Sequence, residues 1–146
     1  MGTALLLLSV LLTVTGIQNS PASKKVIVGA PLGWQNSGIR LRMGQYYSVK
    51  AFGTWVSGLE SQSLGPGGDL SGRITADPLV GWIAEKQPER LNPESYNKYI
   101  LSKVILLGGE GYFRSYSDGF LWLAMGDWSG CKECLGKIDV IITVYE

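Results

Sequence analysis

Residues 38–55 read GIRLRMGQYYSVKAFGTW. Ile39, Leu41 and Met43 alternate with Arg40 and Arg42, a period of two that predicts a strand with one wet face. After Gly44, which marks a turn, residues 46–55 form a second extended run rich in aromatic and β-branched types. The same pattern continues on both sides. Apolar strand-like runs occupy residues 26–28, 80–84, 99–107 (YILSKVILL), 120–124 and 138–145 (IDVIITVY). Glycine punctuation at Gly44, Gly65-Pro66-Gly67-Gly68, Gly108-Gly109, Gly119 and Gly136 separates nearly all of them. No stretch in this region sustains a helical period, and residues 85–98 (EKQPERLNPESYNK) predict a long polar loop with at most one helical turn. Several short strands at this spacing predict an all-β fold, an antiparallel β-sandwich or barrel.

The chain has 146 residues, room for one domain. Thirteen Lys+Arg against 12 Asp+Glu leave a net charge of +1, which supplies no basic face for nucleic acid. Histidine is absent, which removes His-based triads, HExxH zinc sites and most proton shuttling. No nucleophile–base set can be assembled from what remains, and the expectation is a protein that is not an enzyme. Asp118 and Asp127 both lie near strand ends, but a glycosidase pair requires a separation that sequence does not show. Leu64 to Asp69 lacks the Lys-Ser/Thr of a phosphate loop and reads as a turn.

Residues 4–17 (ALLLLSVLLTVTGI) carry no charge. Spanning a bilayer takes about 20 apolar residues, so this run has the length of a secretory h-region, with Gly16 and Ala22 as small residues near a cleavage point. Residues 1–24 are therefore read as a signal peptide or N-terminal membrane anchor, and residues 25–146 as the sandwich domain. The expected location is exported (periplasmic, surface or secreted), with membrane contact only through the N-terminal segment. Cys131 and Cys134 form a C-K-E-C motif in a Gly-flanked loop. Zinc needs four ligands, and this chain has neither histidine nor a second CxxC to complete them. For an exported chain the expected state is a short local disulfide between the two.

Five motifs in order carry a resemblance to a known family. They are G-W-x-x-S-G-I-x-L-x-x-G (Gly33 to Gly44), A-F-G-T-W-V-S-G (Ala51 to Gly58), L-G-P-G-G-D (Leu64 to Asp69), V-G-W-I-A (Val80 to Ala84) and S-D-G-F-L-W-L-A-M-G-D (Ser117 to Asp127). This arrangement resembles the bacterial galactophilic lectins, the calcium-dependent LecA-type family with a galactose-binding-like jelly-roll, over roughly residues 30–145. The resemblance implies a two-sheet β-sandwich and a site where the loop after Asp127 faces the loop near Gly58. In the family, calcium is held by an Asp, two Asn side chains and two backbone carbonyls, and the sugar hydroxyls complete the shell. By position, Asp127 matches the aspartate, Gly58 the earlier carbonyl and Cys131 the second carbonyl. Glu133 and Cys134 stand where the two Asn would be, in a loop about one residue shorter. Calcium prefers six to eight oxygens, so this altered donor set weighs against it. Gly72 and Arg73 occupy the region of the family's polar sugar contacts.

The candidate ligand-binding residues are thus Asp127, Trp128, Gly58 and Glu133, and the candidate metal set is Asp127, Gly58, Cys131 and Glu133. Trp128 offers a ring for the apolar C–H face of a pyranose, a common means of sugar recognition. The alternative is an Asp that caps its own turn and a Trp that covers the sandwich edge. Trp34 and Trp55 are expected in the core, and Trp82 and Trp122 in core or lateral packing. Lys24, Lys25, Arg40, Arg42 and Lys50 are expected to form a solvated face or to touch anionic lipid beside an anchored N-terminus. Two functions remain open. One is a non-catalytic exported lectin-like module, with galactosides as its first ligand class. The other is a structural or interaction subunit of a cell-envelope or surface assembly. In either, free edge strands can pair with a protein partner or with a copy of the chain.

Overall fold

A computed structural model describes residues 22–56, 63–67, 78–88, 103–125 and 134–145. Nine strands are described: β1 (Ser23–Gly29), β2 (Gln35–Leu41), β3 (Tyr46–Val56), β4 (Ser63–Leu64), β5 (Leu79–Ala84), β6 (Ile105–Leu106), β7 (Glu110–Arg114), β8 (Gly119–Met125) and β9 (Leu135–Tyr145). A single 3-10 turn, Ala30–Leu32, follows β1. All described pairings are antiparallel. One sheet runs β1-β9-β3, and beyond β3 its outer edge is shared by β7 along Tyr46–Lys50 and by β4 at Trp55–Val56. The other runs β2-β8-β5-β6. Among the described residues no helix is long and apolar enough to cross a membrane.

The two sheets face one another because alternation aims one set of side chains inward from each. From the first sheet come Val28, Tyr47, Val49, Ala51, Trp55, Phe113, Ile138, Val140 and Ile142; from the second come Leu41, Leu79, Ile83, Leu121, Leu123 and Met125. Burying such side chains contributes about 1.5–3 kcal/mol each relative to exposure, the dominant favourable term. The result is an antiparallel β-sandwich, the fold class that the alternation predicts. Tyr47 and Phe113, paired across β3 and β7, stack with ring centroids 5.5 Å apart. A smaller cluster lies on the outer face of the second sheet, where Trp34, Val80 and Ala124 are buried and Trp82 and Trp122 are half-buried. Trp34 meets Trp82 edge-on at 6.0 Å.

The structure differs from the sequence pattern in several places. Met43 continues the apolar alternation of Ile39 and Leu41 yet is 70% exposed, because it sits in the turn that carries the chain from one sheet to the other. β2 departs from simple pairing: between Asn36 and Arg40 its register with β8 shifts, an irregularity of the bulge type. There Asn36 Oδ1 accepts from Gly38 N at 2.8 Å and Ser37 Oγ from Ile39 N at 3.1 Å, so side chains replace missing ladder bonds. β7 and β4 have no counterpart among the apolar runs. Of the run at 99–107, Ile105–Leu106 is strand, while residues 99–102 lie outside the described residues. The sheet also takes in Ser23 and Lys24, and Ala22 O accepts from Val144 N at 3.0 Å, ahead of a domain start at Lys25. The apolar segment 4–17 lies outside the described residues.

Candidate functional site

The sandwich has two poles. At the first, β3 ends at Val56, β8 ends at Met125, β5 begins at Leu79 and β9 begins at Leu135. These ends adjoin through the pairs Val56↔Leu135 and Leu79↔Met125. The β3–β9 ladder thus sets the end of β3, which precedes residues 57–62, beside the start of β9, which follows residues 126–133, within the first sheet. Gly58, Asp127, Trp128, Cys131 and Glu133 themselves lie outside the described residues. Cys134 is described: it is buried at 2% exposure and disulfide-bonded, and Cys131 is the only other cysteine in the sequence.

The strand stems at this pole are held tightly. Gly136, at φ 103°, sits opposite Trp55 so closely that a Cβ there would lie 2.7 Å from Thr54 O and 2.9 Å from Trp55 Cα. Only glycine allows β3 and β9 to approach this way. Trp55 is fully buried beneath the contact, and its Nε1 has no hydrogen-bond partner among the described residues. Gln35 closes the neighbouring 3-10 turn from within: its Oε1 accepts from Gly29 N at 2.9 Å and its Nε2 donates to Gly29 O at 2.8 Å.

At Cys134, the described position among those compared with the LecA-type donors, the side chain offers calcium no oxygen. Where the family's loop offers an amide oxygen, this chain has Cys134, whose sulfur is tied into a disulfide and is a poor ligand for a hard cation. Among the described residues no three His, Cys, Asp or Glu side chains gather as a metal cluster.

The opposite pole is made by the β2–β3 turn and the β7–β8 turn. Here Arg40, Leu41, Arg42 and Asp118 line an open cavity of about 430 Å³. Arg40, expected on a solvated face, is engaged. Its guanidinium forms a bidentate pair with Glu85 at 2.6 and 3.0 Å and lies 5.4 Å over the Phe120 ring. Hydrogen bonding to Glu85, and then the charge of Glu85, raise its pKa above the ordinary arginine value. Asp118 Oδ1 accepts from Met43 N at 2.8 Å across 75 residues of sequence. That places Asp118 at the pole opposite the strand ends that flank Asp127. The Ser117-Asp118-Gly119 sequence signals a turn, but no local pattern links it to Arg42. Lys25 and Lys50 project from the outer face of the first sheet and pair with Asp139 at 3.2 Å and Glu110 at 3.8 Å.

No protein-family model matches the sequence, and no curated protein matches it. Among solved structures, the chain is similar to the EclA N-terminal domain, a PllA-like lectin, with a TM-score of 0.52 and 16% sequence identity over 83% of this chain and 95% of that one. The likeness shows that this chain has a lectin-like β-sandwich fold.

Proposed function

We propose that this chain is a non-catalytic carbohydrate-binding module of lectin type, exported from the cell, whose ligand site is built on the pole formed by the ends of β3 and β8 and the start of β9. The observation that carries the reading is the fold shared with a PllA-like lectin over 95% of that domain. Two features add support. The β3–β9 ladder sets the end of β3 and the start of β9 side by side, and the motif order places Gly58 just after the one and Asp127, Trp128 and Glu133 just before the other. The absence of histidine removes the side chain whose ordinary pKa lies nearest neutral pH.

Galactosides are the first class to test, on the order of motifs shared with LecA-type lectins. Asp127 and Glu133 would accept hydrogen bonds from sugar hydroxyls, and Trp128 would cover the C–H face of the ring. With Cys134 in a disulfide, sugar binding is expected to survive chelation. The test is calorimetric titration of the full-length chain with galactose and methyl galactoside, with calcium and with EDTA. Saturable heat that persists in EDTA supports the reading. Heat abolished by EDTA would restore a calcium site, and silence from a folded chain would refute galactoside binding.

The second reading, a structural or interaction subunit, has its own observation. The outer face of the β1-β9-β3-β7 sheet exposes Tyr46, Phe52, Tyr112 and Tyr145, with Tyr112 at 70%. Arg114 lies 5.8 Å over Tyr46, and Tyr112 meets Tyr145 edge-on at 5.5 Å. Tyrosine-rich flat surfaces are a usual composition for protein contacts. Under this reading the galactose titration is silent and the chain elutes with a partner or as an oligomer.

A further inference from the structure

We propose that the cavity between Arg40, Arg42 and Asp118, at the pole opposite the galactoside candidate, is a binding site for an acidic sugar of the uronic-acid class. It requires none of residues 57–62 or 126–133, so it stands apart from the function proposed above. Its volume of about 430 Å³ falls within the usual range for small-ligand sites.

The chemistry of the lining selects the ligand. Arg40 is already neutralised by Glu85 through two hydrogen bonds. Arg42 is different: its side chain is exposed and forms no ion pair among the described residues. A planar guanidinium presents parallel donors that suit one carboxylate in bidentate geometry. In the same lining, Asp118 commits Oδ1 to Met43 N and has Oδ2 to accept from a hydroxyl. The four charged groups, Arg40, Glu85, Arg42 and Asp118, sum to zero. A phosphate or polyanion would meet the two carboxylates and is disfavoured. A ligand with one carboxylate and neighbouring hydroxyls satisfies both open groups at once, and a hexuronate is such a molecule.

The pole is also built in advance. Gln45 N donates to Arg42 O at 3.1 Å, closing a turn with Gly44 at φ 83°. Gly44 N donates to Ser115 O at 2.8 Å, Ser115 N to Gln45 O at 2.9 Å, and Arg114 Nε to Gly44 O at 3.0 Å. Arg42 N is itself held by the Tyr47 hydroxyl at 2.9 Å. Two turns far apart in sequence are thus strapped into one surface, and only the Arg42 side chain remains to be ordered by the ligand. Such preorganisation lowers the cost of binding.

The test is an amide-resolved NMR titration of the full-length chain with sodium glucuronate, with glucose and sodium acetate as controls at matched ionic strength. Saturable shifts at Met43, Gly44 and Asp118 are expected with glucuronate, with glucose and acetate markedly weaker. Arg42→Ala should weaken glucuronate at least about tenfold, and Arg42→Lys, which keeps the charge without the planar fork, should recover only part of it. Raising salt should weaken binding. Amide dispersion like that of the parent shows that each variant is folded. The proposal fails if glucose binds as well as glucuronate, if acetate does, if Arg42→Ala leaves affinity unchanged, or if no saturable shift occurs. Loss of galactose binding in the separate titration leaves these outcomes unaffected.

Discussion

Replacing Gly136 by alanine should be among the most destabilising single-methyl additions in this sandwich, and the structure separates the cost into two parts. Gly136 has φ 103°, where an L side chain is strained, and the new Cβ would lie 2.7 Å from Thr54 O and 2.9 Å from Trp55 Cα. Both are backbone atoms of the paired strand, so neither can swing aside as a side chain would. The backbone part is of order 1–3 kcal/mol. Steric repacking adds roughly 1–3 kcal/mol, giving about 2–6 kcal/mol together. Gly108 isolates the first part, since its φ is 62° but the nearest atom to an added Cβ is Gly67 Cα at 4.0 Å. Gly109 lacks both, having an ordinary φ and nothing within 4 Å. Urea denaturation followed by circular dichroism should therefore rank the variants Gly136→Ala, Gly108→Ala, Gly109→Ala from most to least destabilised. Gly109→Ala should fall near zero or be slightly stabilising. If Gly136→Ala and Gly109→Ala unfold at the same urea concentration, the β3–β9 approach described above is wrong.

Three further outcomes follow from other parts of the molecule. Leu121→Ala, at a fully buried position between the sheets, should cost about 2–5 kcal/mol by the same urea assay. Trp55→Phe should cost less than Trp55→Ala, which is expected at about 3–5 kcal/mol, because it keeps a ring in the core and deletes an Nε1–H that lacks a partner among the described residues. Tyr112 should ionise above the ordinary tyrosine value of 10.0, because its hydrogen bond to Tyr145 and then the charge of Tyr145 favour its neutral form. The stability this gives is full below about pH 10 and is lost as pH rises through the raised value. Ultraviolet tyrosinate titration of the parent and of Tyr145→Phe should show the late ionisation only in the parent.

How far the fold was legible depends on which force wrote each part. Burial wrote the period-two runs, so the cores of β1, β2, β3, β5, β8 and β9 stand out as Val28, Leu41, Val49, Ile83, Leu121 and Val140, all at or below 4% exposure. β7 was not legible because its inward positions are Gly111, which has no side chain, and Phe113 alone. Its pairing beside Tyr46–Lys50, with β4 completing the same edge, is a long-range fact that no local pattern encodes. The same reason hides the cavity at the Arg42 pole. The arginine pair reads as a wet strand face, and Glu85 and Asp118 arrive from 45 and 75 residues away. For the first pole, sequence order alone names Gly58, Asp127, Trp128, Cys131 and Glu133, and what the structure adds is the adjacency of the strands that lead to them.

That division explains why a fold can be shared at 16% identity. The sheets are held by side chains that need only be apolar, alternating and of suitable size, and many sequences meet that condition. A ligand site needs particular atoms, and in this sandwich those atoms sit beyond the strand ends, where Val56, Met125 and Leu135 mark the limit of the ladders. Cys134 is buried and disulfide-bonded just ahead of the ladder that begins at Leu135 and is no part of its hydrogen-bonded register. The residues that precede β9 can therefore vary with the sheet intact. Equally, the other pole can carry an arginine without an ion pair among the described residues at no cost to the core, since Arg42 is tied into its turn through its backbone N–H and C=O. Residues at either pole are free to vary because the stability lies in the layer between them.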